Sequence, residues 1–245
     1  MSYVYITGAT GFLGKNLIKL LNKRNIAYIA TSRNKKFNSK NKLIIGKYEE
    51  LDPKNNSTLL HLAESNDISA INKNGIEYYN KSVNLLKKLL SKPWSHVIYI
   101  SSALVYGINS NIFHEPSEKL KPNDIYTKNK LKCENLVIKN GGTVLRLTNT
   151  YGPEMSKVNL FSDILKQLDN NKIFVKSLNS NRDYLWIGDC VEAINSAIKY
   201  KPNKILNVAS GKSLSVAEII NILLKITKQR KTIQELNKSK KINTL

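Results

Sequence analysis

The sequence predicts an α/β fold built on a doubly wound parallel sheet, on three observations. Short apolar runs alternate with helical stretches, glycines mark the junction between the first strand and the first helix, and neither an internal repeat nor a flexible linker interrupts the series. Strands separated by helical segments pair in parallel through right-handed crossovers. The first strand is the apolar run YVYI (3–6), and FLGKNLIKLLNKR (12–24) follows as a helix with Leu13, Leu17, Leu20 and Leu21 on one face. AYIATS (27–32) and KLIIG (42–46) form the second and third strands, and TLLHLA (58–63) the fourth. A helical stretch ending YYNKSVNLLKKLLSK leads to the strand HVIYISS (96–102). A helix carrying Tyr126 and the strand GTVLRLT (142–148) complete the series.

Composition narrows the function classes. With 245 residues and 41% apolar content the chain can bury a full core, which excludes a disordered polypeptide. No run approaches the roughly 18–20 apolar residues of a membrane span. The N-terminus MSYVYITGATG enters strand and turn chemistry directly instead of a cleavable signal, so a cytoplasmic protein with no membrane partner is expected. The net charge of +21 raises the question of nucleic acid. However, 34 of the 39 basic residues are Lys and spread along the chain, whereas base readout favours clustered Arg, so no nucleic-acid partner is expected. Only the tail, 225–243, concentrates the charge, and it reads as a solvated helix with a frayed end. Cys133 and Cys190 have no metal-ligand spacing, and neither His96 nor His114 has partners for a metal site or relay; no metal is expected. Asp189 precedes a helical run and reads as its N-cap.

The segment GATGFLG places Gly8, Gly11 and Gly14 three residues apart, directly between strand and helix. The glycines allow a tight turn, close backbone approach to a pyrophosphate and close helix-to-strand packing, and the helix N-terminus offers free N–H groups to phosphate. A Rossmann-type dinucleotide site follows. At the end of the second strand an acid would hold a ribose 2′-hydroxyl, whereas an Arg would pair with a 2′-phosphate. The chain has Arg33 there, within TSRNKK, which favours NADP over NAD; the plainer alternative is an exposed Arg in a Lys-rich loop.

Tyr126 and Lys130 lie four apart on one helical face, a pattern that a Lys-rich chain also produces by chance. Their neighbours give them meaning. YISSALVYG places Ser101 and Ser102 at the carboxyl end of a parallel strand, where such sheets bind ligands, and LRLTNTYGP ends the next strand in the same region. Together with HLA (61–63), NRDYLWIGDCVEAI (181–194) and LNVASGKSLSVAEI (206–219), these segments resemble, in order and spacing over nearly the whole chain, an extended short-chain dehydrogenase/reductase of the nucleotide-sugar epimerase/dehydratase/reductase family.

The resemblance implies roles by position. Ser102 would hydrogen-bond the substrate oxygen, Tyr126 would exchange the proton there, and Lys130 would bind the nicotinamide ribose and lower the Tyr pKa. A free Tyr titrates at about pH 10, and a nearby ammonium favours its ionised form. Cofactor contacts are implied for Gly8, Thr10, Gly11, Phe12, Leu13, Gly14, Leu62 and Ala63 besides Tyr126 and Lys130. Substrate contacts are implied for Ser102, Ala103, Asn149 and Arg182, the last two at the diphosphate; their plainer readings are a turn residue and a surface ion pair with Asp183.

The chain departs from the family pattern in three ways. Ala103 and Leu104 stand where a 4,6-dehydratase has its extra acid and base, which argues against dehydration. KYEELD (47–52) lacks the Asp that contacts adenine in many members. The chain is short, so the fold is expected as a Rossmann-type sheet (1–152 and about 183–207) with a small, reduced C-terminal substrate lobe (about 153–182 and 208–245). Three functions stay open: 4-ketoreduction of a nucleoside-diphosphate 4-keto-6-deoxy sugar with consumable NADPH, 4-epimerisation with retained NAD, and a non-catalytic dinucleotide-binding or regulatory role. VNLLKKLL (83–90) offers more apolar positions than one buried face needs, so a homodimer through this helix and the Tyr126 helix is expected.

Overall fold

The computed structural model describes residues 3–65, 67–107, 113–120, 122–157 and 159–236. The strand and helix series of the first 150 residues appears as β1 (Val4–Thr7), α1 (Phe12–Lys23), β2 (Tyr28–Ser32), β3 (Lys42–Ile44), β4 (Thr58–His61), α2 (Ile68–Leu90), β5 (His96–Ser102), α3 (Ile125–Lys139) and β6 (Thr143–Leu147). The chain continues through β7 (Asn149–Tyr151), α4 (Leu160–Lys166), β8 (Lys172–Val175), β9 (Asn181–Trp186), α5 (Ile187–Tyr200), β10 (Ile205–Val208), β11 (Ser213–Ser215), α6 (Val216–Thr227) and β12 (Thr232–Glu235).

Seven strands form one parallel sheet in the order β10-β6-β5-β4-β1-β2-β3. Alternation along each strand feeds two cores. Val4 and Ile6 of β1 and Ile98 and Ile100 of β5 pack with Leu17 and Leu21 of α1 and Ile194 of α5. Tyr5, Val97 and Tyr99 face the other way, against Leu86 and Leu89 of α2 and Val137 of α3. Both faces are covered, which explains why these strands read as nearly continuous apolar runs. The strand order reverses between β1 and β4, so the carboxyl ends of β1, β4 and β5 open a crevice at the switch point.

The rest of the chain sits beyond those carboxyl ends. β7, β9 and β11 form a three-stranded sheet, β8 pairs in parallel with β12, and Ile164, Ile173, Val175, Val216, Ile219 and Ile220 make a small separate core. The structure corrects three expectations. The helix in the basic tail ends at Thr227, where Lys228 turns into the left-handed region, and residues 232–235 form β12, whose Ile233 packs on the small core; residues beyond 236 lie outside the described set. Asp189 lies within the first turn of α5, where it complements the helix dipole, and Trp186 holds the cap position. The apolar surplus of α2 is absorbed within the subunit, since Leu85 and Leu90 are half-buried against the same core as Leu86 and Leu89.

Candidate active site

The floor of the crevice is set by the glycine loop. Gly8 has φ +68°, a conformation that favours glycine, and a Cβ there would lie 2.6 Å from the carbonyl oxygen of Leu62. Leu62 in turn donates its N–H to Thr7 Oγ1 at 3.1 Å, so residues 55 positions apart form one surface. A Cβ at Gly14 would lie 2.6 Å from the Gly8 oxygen, so only glycine lets α1 settle onto the loop. Thr10 and Gly11 stand exposed at the crest, and α1 starts behind Gly11 without a side-chain cap. An uncapped helix N-terminus above a glycine turn fits the pyrophosphate of a dinucleotide.

Beyond the loop, Arg33 follows β2 with its guanidinium 5.2 Å above the centre of the Tyr48 ring. Tyr48 sits in a 3₁₀ turn after β3, and its hydroxyl accepts the N–H of Gly8 at 3.2 Å. Arg33, Lys47, Tyr48 and Lys81 border a cavity of about 480 Å³ whose acids are paired, Glu77 with Lys81 and Glu49 with Lys88. The segment KYEELD thus carries a Tyr that ties the turn to the glycine loop, with Arg33 and Lys47 beside it.

A second cavity, of about 450 Å³, collects the remaining predicted residues. Phe12, Leu13 and Leu62 border it from the cofactor side; Ser102, Tyr126 and Lys130 lie in its wall; Asn149 and Arg182 border it from β7 and β9. Ala63 follows Leu62 beside this wall, packed on the α2 and α3 core. Tyr126 is placed by the start of α3. Asp124 caps the helix by accepting the Thr127 N–H at 2.8 Å, while Asn72 of α2 donates to Asp124 at 3.1 Å and accepts the Tyr126 N–H at 3.2 Å. Four residues on, Lys130 lies with its Nζ 5.8 Å from the Tyr126 ring centre.

The two serines at the end of β5 separate cleanly. Ser101 spends its hydroxyl on Glu134, at 2.5 Å. Ser102 caps the 3₁₀ turn Ala103–Tyr106 by accepting the Leu104 N–H at 3.2 Å, which leaves its own hydrogen to donate. Asn149 donates to the Asp183 carbonyl at 3.2 Å from within a strand, not a turn. Asp183 directs its carboxylate at Thr148, Ser210 and Gly211, away from the ion pair with Arg182 that the sequence allows.

Glu64, just after β4, is a site residue that sequence reasoning misses. It accepts from Lys130 Nζ at 2.5 Å, Ser82 Oγ at 2.7 Å and Tyr99 Oη at 2.8 Å, with its side chain only 8% exposed. Burial opposes its ionisation, but Lys130, His61 and these hydrogen bonds hold its pKa at about 2. His61, which engages Thr7 through Nδ1 at 2.9 Å, is pushed down to about 4 by burial and stays neutral. Burial likewise raises the Cys133 and Cys190 thiols to about 12, so neither is a ready nucleophile. His96 is buried on Thr143, and His114 pairs with Glu118 and stacks on Tyr106.

The geometry has a counterpart among known proteins. The model of the NAD dependent epimerase/dehydratase family matches residues 4–209. The chain belongs to this family. This extended short-chain dehydrogenase/reductase is 31% identical over 263 residues to ADP-L-glycero-D-manno-heptose-6-epimerase of Brachyspira hyodysenteriae, covering 92% of this chain and 81% of the relative. It is 27% identical over 254 residues to dTDP-4-dehydro-6-deoxyglucose reductase of Escherichia coli, covering 90% and 80%. The structure of RMD from Pseudomonas aeruginosa complexed with NADPH shares the fold, with a TM-score of 0.84 at 20% identity over 99% of this chain and 88% of that one. Among the described residues no helix is long and apolar enough to cross a membrane.

Proposed function

We propose that the enzyme reduces the 4-keto group of a 4-keto-6-deoxy sugar carried on a nucleoside diphosphate, using NADPH. The carrying observation is the convergence of Ser102, Tyr126 and Lys130 with Asn149 and Arg182 on one cavity, while Ala103 and Leu104, in the turn that follows Ser102, add no further acid or base. The name of the Escherichia coli relative, a reductase of such a sugar, supports the reading. In this proposal residues 1–152 and about 183–207 hold the cofactor, and about 153–182 and 208–245 cover the sugar nucleotide, with Arg182 and Asn149 toward its diphosphate. Arg33, Lys47 and Lys81 favour a 2′-phosphate.

When bound, the nicotinamide supplies the hydride. The chain's own residues handle the oxygen. Ser102 donates its free hydrogen to the substrate carbonyl, Tyr126 delivers the proton as the alkoxide forms, and the Lys130 ammonium stabilises the resulting phenolate. A cytoplasmic homodimer across the outer flank of α2 and α3 completes the proposal. That flank exposes Lys73, Lys87, Lys128 and Lys132, which a two-fold axis would bring together, so salt should strengthen the dimer. Sedimentation showing monomer at every ionic strength would remove it.

Incubation with NADPH and a panel of 4-keto-6-deoxy and ordinary sugar nucleotides, followed by absorbance and product NMR, tests the reaction. Stoichiometric NADPH loss with a 4-keto substrate is the expected result. The 31% identity to a heptose epimerase favours one other reading, and a changed sugar without net cofactor loss would establish it. No change across the panel would overturn both.

A further inference from the structure

We propose that Glu64 is the positioning residue of the catalytic lysine, acting through a buried carboxylate that fixes the direction of the Lys130 ammonium and keeps it protonated in a water-poor wall. The proposal rests on the reading of Lys130 as part of the reductase site. Lys130 is 7% exposed, and an ammonium so buried without a counter-ion would lose its proton. Two of its three N–H groups are committed, one to Glu64 Oε2 at 2.5 Å and one to the Ile100 carbonyl at 2.9 Å. The third is left for the cavity that Tyr126 also lines.

Glu64 is itself anchored from two other elements. Ser82 of α2 binds Oε1, and Tyr99 of β5 shares Oε2 with Lys130, so the carboxylate bridges β4, β5, α2 and α3. Among the described residues, the other titratable groups packed around the pair sit on those elements. His61 on β4 is held neutral by burial; burial raises Tyr78 on α2 and Cys133 on α3 to about 12 and Tyr99 on β5 well above its ordinary value; Tyr126 lies on the cavity side. Glu134, one turn further along α3, is engaged by Ser101 and Arg146, so Glu64 is the carboxylate that faces the ammonium. For Lys130 burial alone would lower the pKa, and Glu64 reverses the sign, holding it above that of a free lysine.

The test is Glu64→Gln, which keeps the side-chain shape and removes the charge. NMR of protein labelled with ¹³C at lysine Cε, with the Lys130 signal identified by its loss in Lys130→Arg, reads the protonation directly. In the unaltered enzyme that signal should not titrate below about pH 10.4, the ordinary lysine value. In Glu64→Gln it should titrate at least about two units lower. The high-pH limb of kcat/KM should move down with it. Glu64→Asp, which keeps the charge and withdraws it by one methylene, should give a smaller shift in the same direction, and serves if the Gln variant does not fold. A Lys130 titration that is unchanged in both variants, or a uniformly reduced rate with an unmoved pH profile, overturns the proposal. The NMR readout needs no substrate. Absence of turnover on every sugar nucleotide would instead count against the proposed reaction and leave the titration to decide the role of Glu64.

Discussion

Two buried ion pairs leave neighbouring turns of α3, and they serve different ends. Lys130 and Glu134 are four residues apart and share a helical face, yet each pairs away from the other, Lys130 with Glu64 beyond β4 and Glu134 with Arg146 of β6. The second pair is sealed. Glu134 and Arg146 have 0% and 1% of their side chains exposed, Arg146 binds both carboxylate oxygens through Nε and Nη2, and its Nη1 reaches Tyr106 and the Pro116 carbonyl. Ser101 and Asn207 complete the network, which ties the ends of β5, β6 and β10 together. The first pair opens on a cavity and keeps one ammonium N–H uncommitted within the protein. The same chemistry one turn apart is thus structural where the pair is sealed from solvent and, in the proposed reaction, available where one N–H faces a cavity.

The largest expected effect comes from the open end. Tyr126→Phe removes the proposed proton donor without disturbing either pair, so turnover should fall by about 10²- to 10⁴-fold while calorimetry shows cofactor binding retained. Unchanged turnover would mean that the open pair serves no reaction.

Breaking the sealed pair should act on stability instead. Glu134→Ala leaves Arg146 buried without its counter-ion, which typically costs about 3–5 kcal/mol, read from the denaturation midpoint. A loss below about 1 kcal/mol would show that the network is not what holds the strand ends.

How far this contrast is legible in sequence depends on distance along the chain. The glycine loop, the Tyr126–Lys130 spacing and the strand series are local patterns, and each appears where periodicity and turn chemistry place it. Glu64 is 66 residues from Lys130, and only the adjacency of β4 and β5 under α3 brings them together. Tyr48 has the same character, because its bond to Gly8 depends on β3 lying near β1 through β2. β12 escapes for another reason. Four residues, Thr-Ile-Gln-Glu, carry too short an alternation to stand out within a Lys-rich tail, and pairing with β8 decides their state. The serines show a finer limit: sequence places both at the strand end, and only the Glu134 bond tells which hydroxyl is occupied.

A smaller effect should come from a site remote from both pairs. Arg33→Ala removes a cation from the cavity beyond the glycine loop, so the proposed preference for NADPH over NADH should shrink by roughly tenfold, the weight of one charge-assisted hydrogen bond. Equal affinities for the two cofactors in the unaltered enzyme would sink the NADP assignment and leave the contrast in α3 untouched.

The smallest expected effect distinguishes the two turns of α3 most sharply. Asp124 caps the helix at the Tyr126 end, where it also accepts from Asn72, and Glu134 lies more than two turns further on. Asp124→Ala should cost about 1 kcal/mol, the usual weight of an N-cap. Burial of Asp124 works to raise its pKa, but the Thr127 backbone and hydroxyl and the Asn72 amide outweigh it and hold the pKa below the ordinary value. A carboxylate depressed in the folded state contributes stability above its unfolded pKa, about 3.9, and loses it as the pH falls through the lower folded value. The difference in stability between the unaltered enzyme and Asp124→Ala should therefore be full at neutral pH and shrink in acid below about pH 4. Amide exchange adds the spatial readout. Residues 125–130 should open more readily in the variant, while the turn carrying Glu134, pinned from β6, should keep its protection. Equal loosening along the whole helix would show that the two turns are one cooperative unit, and that the sealed pair does not insulate the fold from the open one.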